Sequence, residues 1–207
     1  MNKNFTNYFS KLLIITCLSL FSACHNNIKI INNNYYNWNH QQQLLLNIKH
    51  FKLNGLITYI SKQYNISANF YWQQINKNDY KFVLTNQFNT IKLCLNVTNN
   101  ITKLTINNNI FCYQQSPDVV IKELFNVDVP FKYLNQIILG IINNNQKFTL
   151  NKYGYLNKTK LYDSSNIWNI IYSKHKYYYN NMIVLPKYIE LSCNDVNIKI
   201  KIYNWII

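Results

Sequence analysis

From Phe51 onward, apolar side chains recur mainly at every second position, and the rhythm turns helical between Ser116 and Gly140. A period of two places successive side chains on opposite faces of a strand, so such runs predict strands with one buried face. Phe51 to Ser61, Ala68 to Gln74, Asp79 to Asn86 and Ile91 to Val97 form four runs joined by polar, turn-like segments, which describes an antiparallel meander. Parity sets Ala68, Phe70 and Trp72 against Asn69, Tyr71 and Gln73, and Tyr80, Phe82 and Leu84 against Lys81, Val83 and Thr85. In the next run Ile91, Leu93 and Leu95 oppose Lys92 and Cys94. Strands resume at Ile101 to Ile106 and Ile110 to Gln114. After the helical stretch they return at Lys147 to Tyr162, Ile167 to Tyr179, Ile183 to Ser192 and Val196 to Trp205. The last has Val196, Ile198, Ile200 and Ile202 on one face.

Three segments predict helices. From Trp38 to His50, Leu44, Leu45 and Ile48 sit at helical spacing. Ser116-Pro117-Asp118 opens a second helix, with Ser as N-cap, Pro at the first helical position and an acid near the positive end of the dipole. Its apolar stripe is Val120, Leu124 and Phe125. A third helix after Pro130 carries Leu134, Ile137 and Ile138 and stops at Gly140. Nine to eleven antiparallel strands with helices in the middle describe a strongly curved sheet under a helical plug or lid. Alone, that pattern fits a packed core better than a cavity.

The N-terminus follows a different logic. Lys3 and Lys11 precede an apolar run from Leu12 to Phe21, too short to cross a bilayer, and Ser22-Ala23-Cys24 follows. We expect residues 1–23 to be a signal peptide ending in a lipobox, with Phe21 where Leu is usual, and Cys24 to carry covalent N-acyl and S-diacylglycerol lipid. The alternatives are a free Cys24 thiol after ordinary secretion, or lipidation at Cys17, which Ile15 and Thr16 disfavour. His25 in place of Asp implies no inner-membrane retention, so outer-membrane delivery is the expectation. Residues 24–36 are polar and Asn-rich and suit a tether; residues 37–207 form the folded domain.

Composition removes more functions than it suggests. The net charge of +14 comes from Lys alone, without Arg, in a chain rich in Asn, Ile and Tyr. Compositional drift explains it better than a nucleic-acid surface, which favours bidentate Arg; attraction to anionic headgroups is the remaining functional reading. There is no HExxH, GxSxG, Walker loop or GxGxxG, and three glycines build no phosphate cradle. Neither catalytic residues nor a metal or other cofactor are expected. His25, His40, His50 and His175 read as solvated or structural. Cys94, Cys112 and Cys193 read as small buried hydrophobes, at least one of them unpaired.

Several stretches resemble the LolB family, the outer-membrane acceptors of the lipoprotein-localisation pathway, in order and spacing. They are Gly55 with Tyr59-Ile60-Ser61, Ala68, Phe70 to Gln74, Asp79-Tyr80, Leu84-Thr85-Asn86, Pro130 and Ile138-Leu139-Gly140. Leu150, Trp168, Tyr172, Leu185-Pro186, Glu190-Leu191, Ile198-Lys199 and Asn204-Trp205-Ile206 complete the series. The resemblance implies a mainly β fold with α-helices: an incomplete antiparallel barrel of about eleven strands with a helical lid. It also implies a monomer that takes lipoprotein acyl chains from the periplasmic carrier LolA and passes them to outer-membrane lipid. Parity together with the family cavity puts Phe70, Trp72, Tyr80, Phe82, Leu84, Leu93, Leu95, Ile198 and Ile200 in the cavity. Leu124, Phe125, Leu134, Ile137 and Ile138 are then the lid. The family's exposed apolar loop residue falls on Phe88, with Phe for Leu and Asn89 for the usual Gly. The rival readings are a soluble LolA-like carrier and a structural lipoprotein with a packed core.

Overall fold

The computed structural model describes residues 37–207 except 87, 89, 100, 144, 164, 165 and 179–181. The expected signal peptide, Cys24 and the expected tether lie outside the described residues. Eleven strands form one antiparallel sheet: β1 (Phe51–Ile60), β2 (Asn65–Gln74), β3 (Tyr80–Thr85), β4 (Ile91–Thr98), β5 (Ile101–Ile106) and β6 (Asn109–Tyr113) precede the central helices. After them come β7 (Phe148–Leu150), β8 (Leu156–Asp163), β9 (Asn166–Tyr178), β10 (Ile183–Cys193) and β11 (Val196–Ile206). Among the described residues three helices accompany them: α1 (Trp38–Asn47), α2 (Pro117–Phe125) and α3 (Phe131–Leu139).

The strand order is β6-β5-β4-β3-β2-β1-β11-β10-β9-β8-β7. The first and last strands therefore pair at the centre of the sheet, and β6 and β7, consecutive in sequence, are its two edges. The connection between them must cross the full width of the sheet. It crosses the apolar face, because that is where α2 and α3 can bury their own stripes. Every element but the edge strands β6 and β7 places buried side chains in one common core, so this part of the chain carries its own hydrophobic core.

Register explains where simple parity fails. A row of partners runs across the sheet through Trp205, Leu53, Trp72, Phe82, Leu95 and Leu104, all buried. Trp205 has the wrong parity to join Ile198, Ile200 and Ile202. It joins them because the pairing shifts by one residue between Asn54 and Gly55, leaving Tyr203 without a partner across the pair. Gly55 is needed there: a Cβ on it would lie 2.0 Å from the Lys201 carbonyl oxygen and 2.8 Å from the Phe70 ring. Val83 and Cys94, assigned outward by parity, are buried, paired with each other in register and with Tyr71 beside Val83.

Three further expectations are corrected. The run Lys147 to Tyr162 is two strands, since Asn151 Oδ1 accepts from the Tyr153 and Tyr155 amides and Gly154 takes φ +82°. The first helix ends at Asn47, short of His50. Cys112 is exposed on the edge strand β6, whereas Cys94 and Cys193 are buried. At the ends of the lid, Ser116 caps α2 through its backbone oxygen rather than its side chain, and Gly140 closes α3 at φ +75°.

Candidate functional site

The two halves of the apolar face are covered differently. Over β8 to β11, α1 and α3 pack down on β10. Gln41 Nε2 donates to the Val184 carbonyl at 3.1 Å, and Gln42 Nε2 donates to the Gly140 carbonyl at 3.0 Å while its Oε1 accepts from the Ile142 amide at 2.9 Å. Phe131, Leu134, Ile137, Ile138 and Leu139 of α3 are all buried. Over β1 to β4 the cover is α2 and the segment 126–130 that follows it. There the seal is incomplete.

What remains is an open apolar cavity of about 190 Å³. On this measure one water-sized group takes roughly 10–15 Å³, so the space holds on the order of ten. Its floor is Ile57, Tyr59, Ile66, Ala68, Phe82, Leu84, Leu93 and Ile198 from the sheet, and its roof is Ile121, Phe125, Val127, Val129 and Phe131. Among the described residues, no charged one lines it. Tyr59 supplies the one hydroxyl; burial raises its pKa, and a hydrogen bond at the Asp128 backbone opposes the shift. The exposed Lys122–Asp128 pair at 2.9 Å ties the end of α2 to the roof segment, a contact of small worth at the surface.

Of the residues expected in the cavity, Phe82, Leu84, Leu93 and Ile198 line it, as does Phe125 of the expected lid. Phe70, Leu95 and Ile200 lie in the solid core, while Trp72 and Tyr80 line a separate groove. Leu134, Ile137 and Ile138 belong to the sealed half. Leu124 is corrected: it is 47% exposed, and Ile121, one turn earlier, holds the inward position. Sequence reading missed Ile57 and Tyr59, which continue the parity of Phe51 and Leu53, and Val127 and Val129, whose alternation marks an extended roof strap.

The β3–β4 hairpin, which carries Leu84 and Leu93, ends at Phe88, 87% exposed. Asn86 Oδ1 accepts from the Phe88 and Thr90 amides, both at 2.9 Å, which fixes the turn and leaves the ring outside. Among the described residues no group of three or more His, Cys, Asp or Glu is placed to hold a metal. No described helix is long and apolar enough to cross a membrane.

An open antiparallel half-barrel, apolar inside and roofed by helices, is the fold class of the LolA and LolB carriers. It is shared with a LolA superfamily protein from Nitrosomonas europaea at TM-score 0.53 and 7% identity, covering 81% of this chain and 90% of that one. It is shared too with a putative outer membrane lipoprotein-sorting protein domain from Vibrio parahaemolyticus at TM-score 0.51 and 8% identity, covering 76% and 85%. The family model "Outer membrane lipoprotein LolB" matches residues 49–205. Outer-membrane lipoprotein LolB of Baumannia cicadellinicola is 30% identical over 205 residues, 94% of each chain, and that of Sodalis glossinidius 29% identical over 168 residues, 81% of each. This chain belongs to the LolB family of outer-membrane lipoproteins.

Proposed function

We propose that this protein, anchored through lipid on Cys24, accepts the acyl chains of other lipoproteins from the periplasmic carrier LolA and delivers them into the outer membrane as a monomer, without nucleotide or catalytic residue. The observation that carries the reading is the charge-free cavity between β1–β4 and the α2 roof. Burying a methylene is worth about 0.8 kcal/mol, so a multi-chain lipid anchor cannot cross water unshielded, and a relay of apolar sites solves the problem. Phe88 serves delivery. Its exposed ring inserts among acyl chains, a gain of roughly 1.5–3 kcal/mol on full burial, and draws the cavity mouth to the bilayer.

The test is transfer: residues 25–207 mixed with carrier loaded with a purified lipoprotein should strip the cargo, read by co-elution. Cargo that stays on the carrier would refute the acceptor role. Fatty-acid labelling of the full chain, lost on Cys24→Ser, checks the anchor separately.

A further inference from the structure

Beside the cavity lies a second groove of about 410 Å³, of mixed polar and apolar lining that includes Lys77, Asp118 and Lys132, between the β2–β3 turn, the end of β6 and the starts of α2 and α3. The two spaces share Phe131. Phe82 on the cavity floor meets Phe131 edge-on at 5.6 Å and Trp72 at 5.5 Å, and Trp72 stacks on Tyr80 at 4.6 Å. One aromatic layer therefore separates the apolar space from the mixed one.

Several polar groups around this groove are paired. Trp72 Nε1 donates to Gln74 Oε1 at 2.8 Å, Thr102 Oγ1 donates to the Gln115 carbonyl at 2.7 Å, and Asp118 Oδ1 accepts from the Lys132 amide at 3.1 Å. The Tyr80 hydroxyl is buried in the groove wall, on a residue 9% exposed, and has no hydrogen-bond partner among the described residues. Its neighbours on this face, Phe70, Trp72 and Phe82, form an aromatic layer into which a Phe would fit. A buried hydroxyl left unpaired carries its full desolvation cost. Burial pushes both the Tyr80 hydroxyl and the nearby Asp118 carboxyl upward, and Lys77 and Lys132 also line the groove.

We propose that this groove is the polar subsite for the acyl head of a lipid whose chains fill the apolar cavity, with the Tyr80 hydroxyl donating to an ester or amide carbonyl and Asn78 and Asn135 offering further amide contacts. The inference rests on the acceptor reading above. Phe131 lies where chains and head meet, so it must turn aside as the ligand threads past it.

The experiment uses residues 25–207 and three probes with short chains: a triacylated cysteinyl tetrapeptide, its tri-alkyl analogue lacking the three acyl carbonyls, and a diacylphosphatidylglycerol. Binding is read by tryptophan fluorescence, stability by thermal melting. Wild type should prefer the triacyl peptide over its analogue, and Tyr80→Phe should erase that preference, weakening the triacyl peptide about three- to tenfold while sparing the analogue. The melting temperature should hold or rise, because an unsatisfied hydroxyl is removed. A matching loss for phosphatidylglycerol would assign the subsite to glyceryl esters in general, and no loss would restrict it to the lipoprotein head. The subsite is overturned if Tyr80→Phe leaves triacyl affinity unchanged, or if it lowers stability and weakens all probes alike. If wild type binds none of the probes, the acceptor reading itself fails, and the subsite with it.

Discussion

One face of one sheet is finished in two ways. On the side of the sheet where α1 and α3 pack, residues of β9 and β10 such as Trp168, Ile170, Ile189 and Leu191 are almost wholly removed from solvent. Under α2 and the 126–130 strap, Ile57, Tyr59, Leu84 and Leu93 are equally apolar but only partly buried. Strand chemistry does not distinguish the halves; the cover does. The α1 and α3 helices are latched by glutamine side chains and a fully apolar inner stripe, whereas α2 presents Ile121 and Phe125 inward and leaves Val119 and Leu124 outside. Both halves contribute buried residues to the core, but only the half under α2 keeps apolar surface free for a guest.

The contrast can be broken by mutation. Trp168→Ala in the sealed half should cost roughly 3–5 kcal/mol of unfolding free energy in urea melts, the range for a truncated core aromatic. Leu93→Ala in the cavity wall should cost about 1 kcal/mol, as a partly open site leaves little new void, yet it should weaken acyl binding. If both substitutions cost the same, the halves are not differently packed.

Acid sharpens the comparison. Half-buried His175, with an unpaired Nε2 beside Trp38 and Leu45, is held neutral by burial, its pKa below the ordinary value of about 6.5. The unfolded chain takes up that proton first, so this contribution is complete above pH about 6.5 and is lost as pH falls below it. Melting temperature followed down from pH 7.5 should fall in the wild type and fall less in His175→Gln. An identical slope would exclude His175 as its source. The smallest stability effect is expected at Phe88→Glu, within about 0.5 kcal/mol, because the ring touches no core. Uptake from the carrier should persist while release into vesicles drops, and Phe88→Leu should retain both. A large loss of stability would mean the ring is packed.

Much of this was readable from the alternation. Strand number, the helical interruption and the inward set Phe82, Leu84, Leu93 and Ile198 follow from parity, which needs only local spacing. Parity fails where register shifts: Trp205 reaches the core through a bulge whose cause, the approach of Lys201 to Gly55, is non-local. Val83 and Cys94 are buried on the outer face, where a pattern of single residues sees only an odd position. The cavity itself was not legible from residues, since Leu134 and Ile121 look alike in sequence and differ only in how closely their helix is held to the sheet. The groove at Tyr80 needs four separate segments and has no linear signature.

The central claim, that the open half and not the sealed half holds the guest, is tested most directly by a triacylated peptide with a photoreactive group at each chain end, cross-linked to residues 25–207 and mapped by peptide mass spectrometry. Adducts should concentrate on the wall and roof, at Tyr59, Leu84, Leu93, Phe125 and Val127, and disappear with excess unlabelled lipopeptide. Adducts on β8 to β10, or scattered over the outer face without competition, would contradict the account.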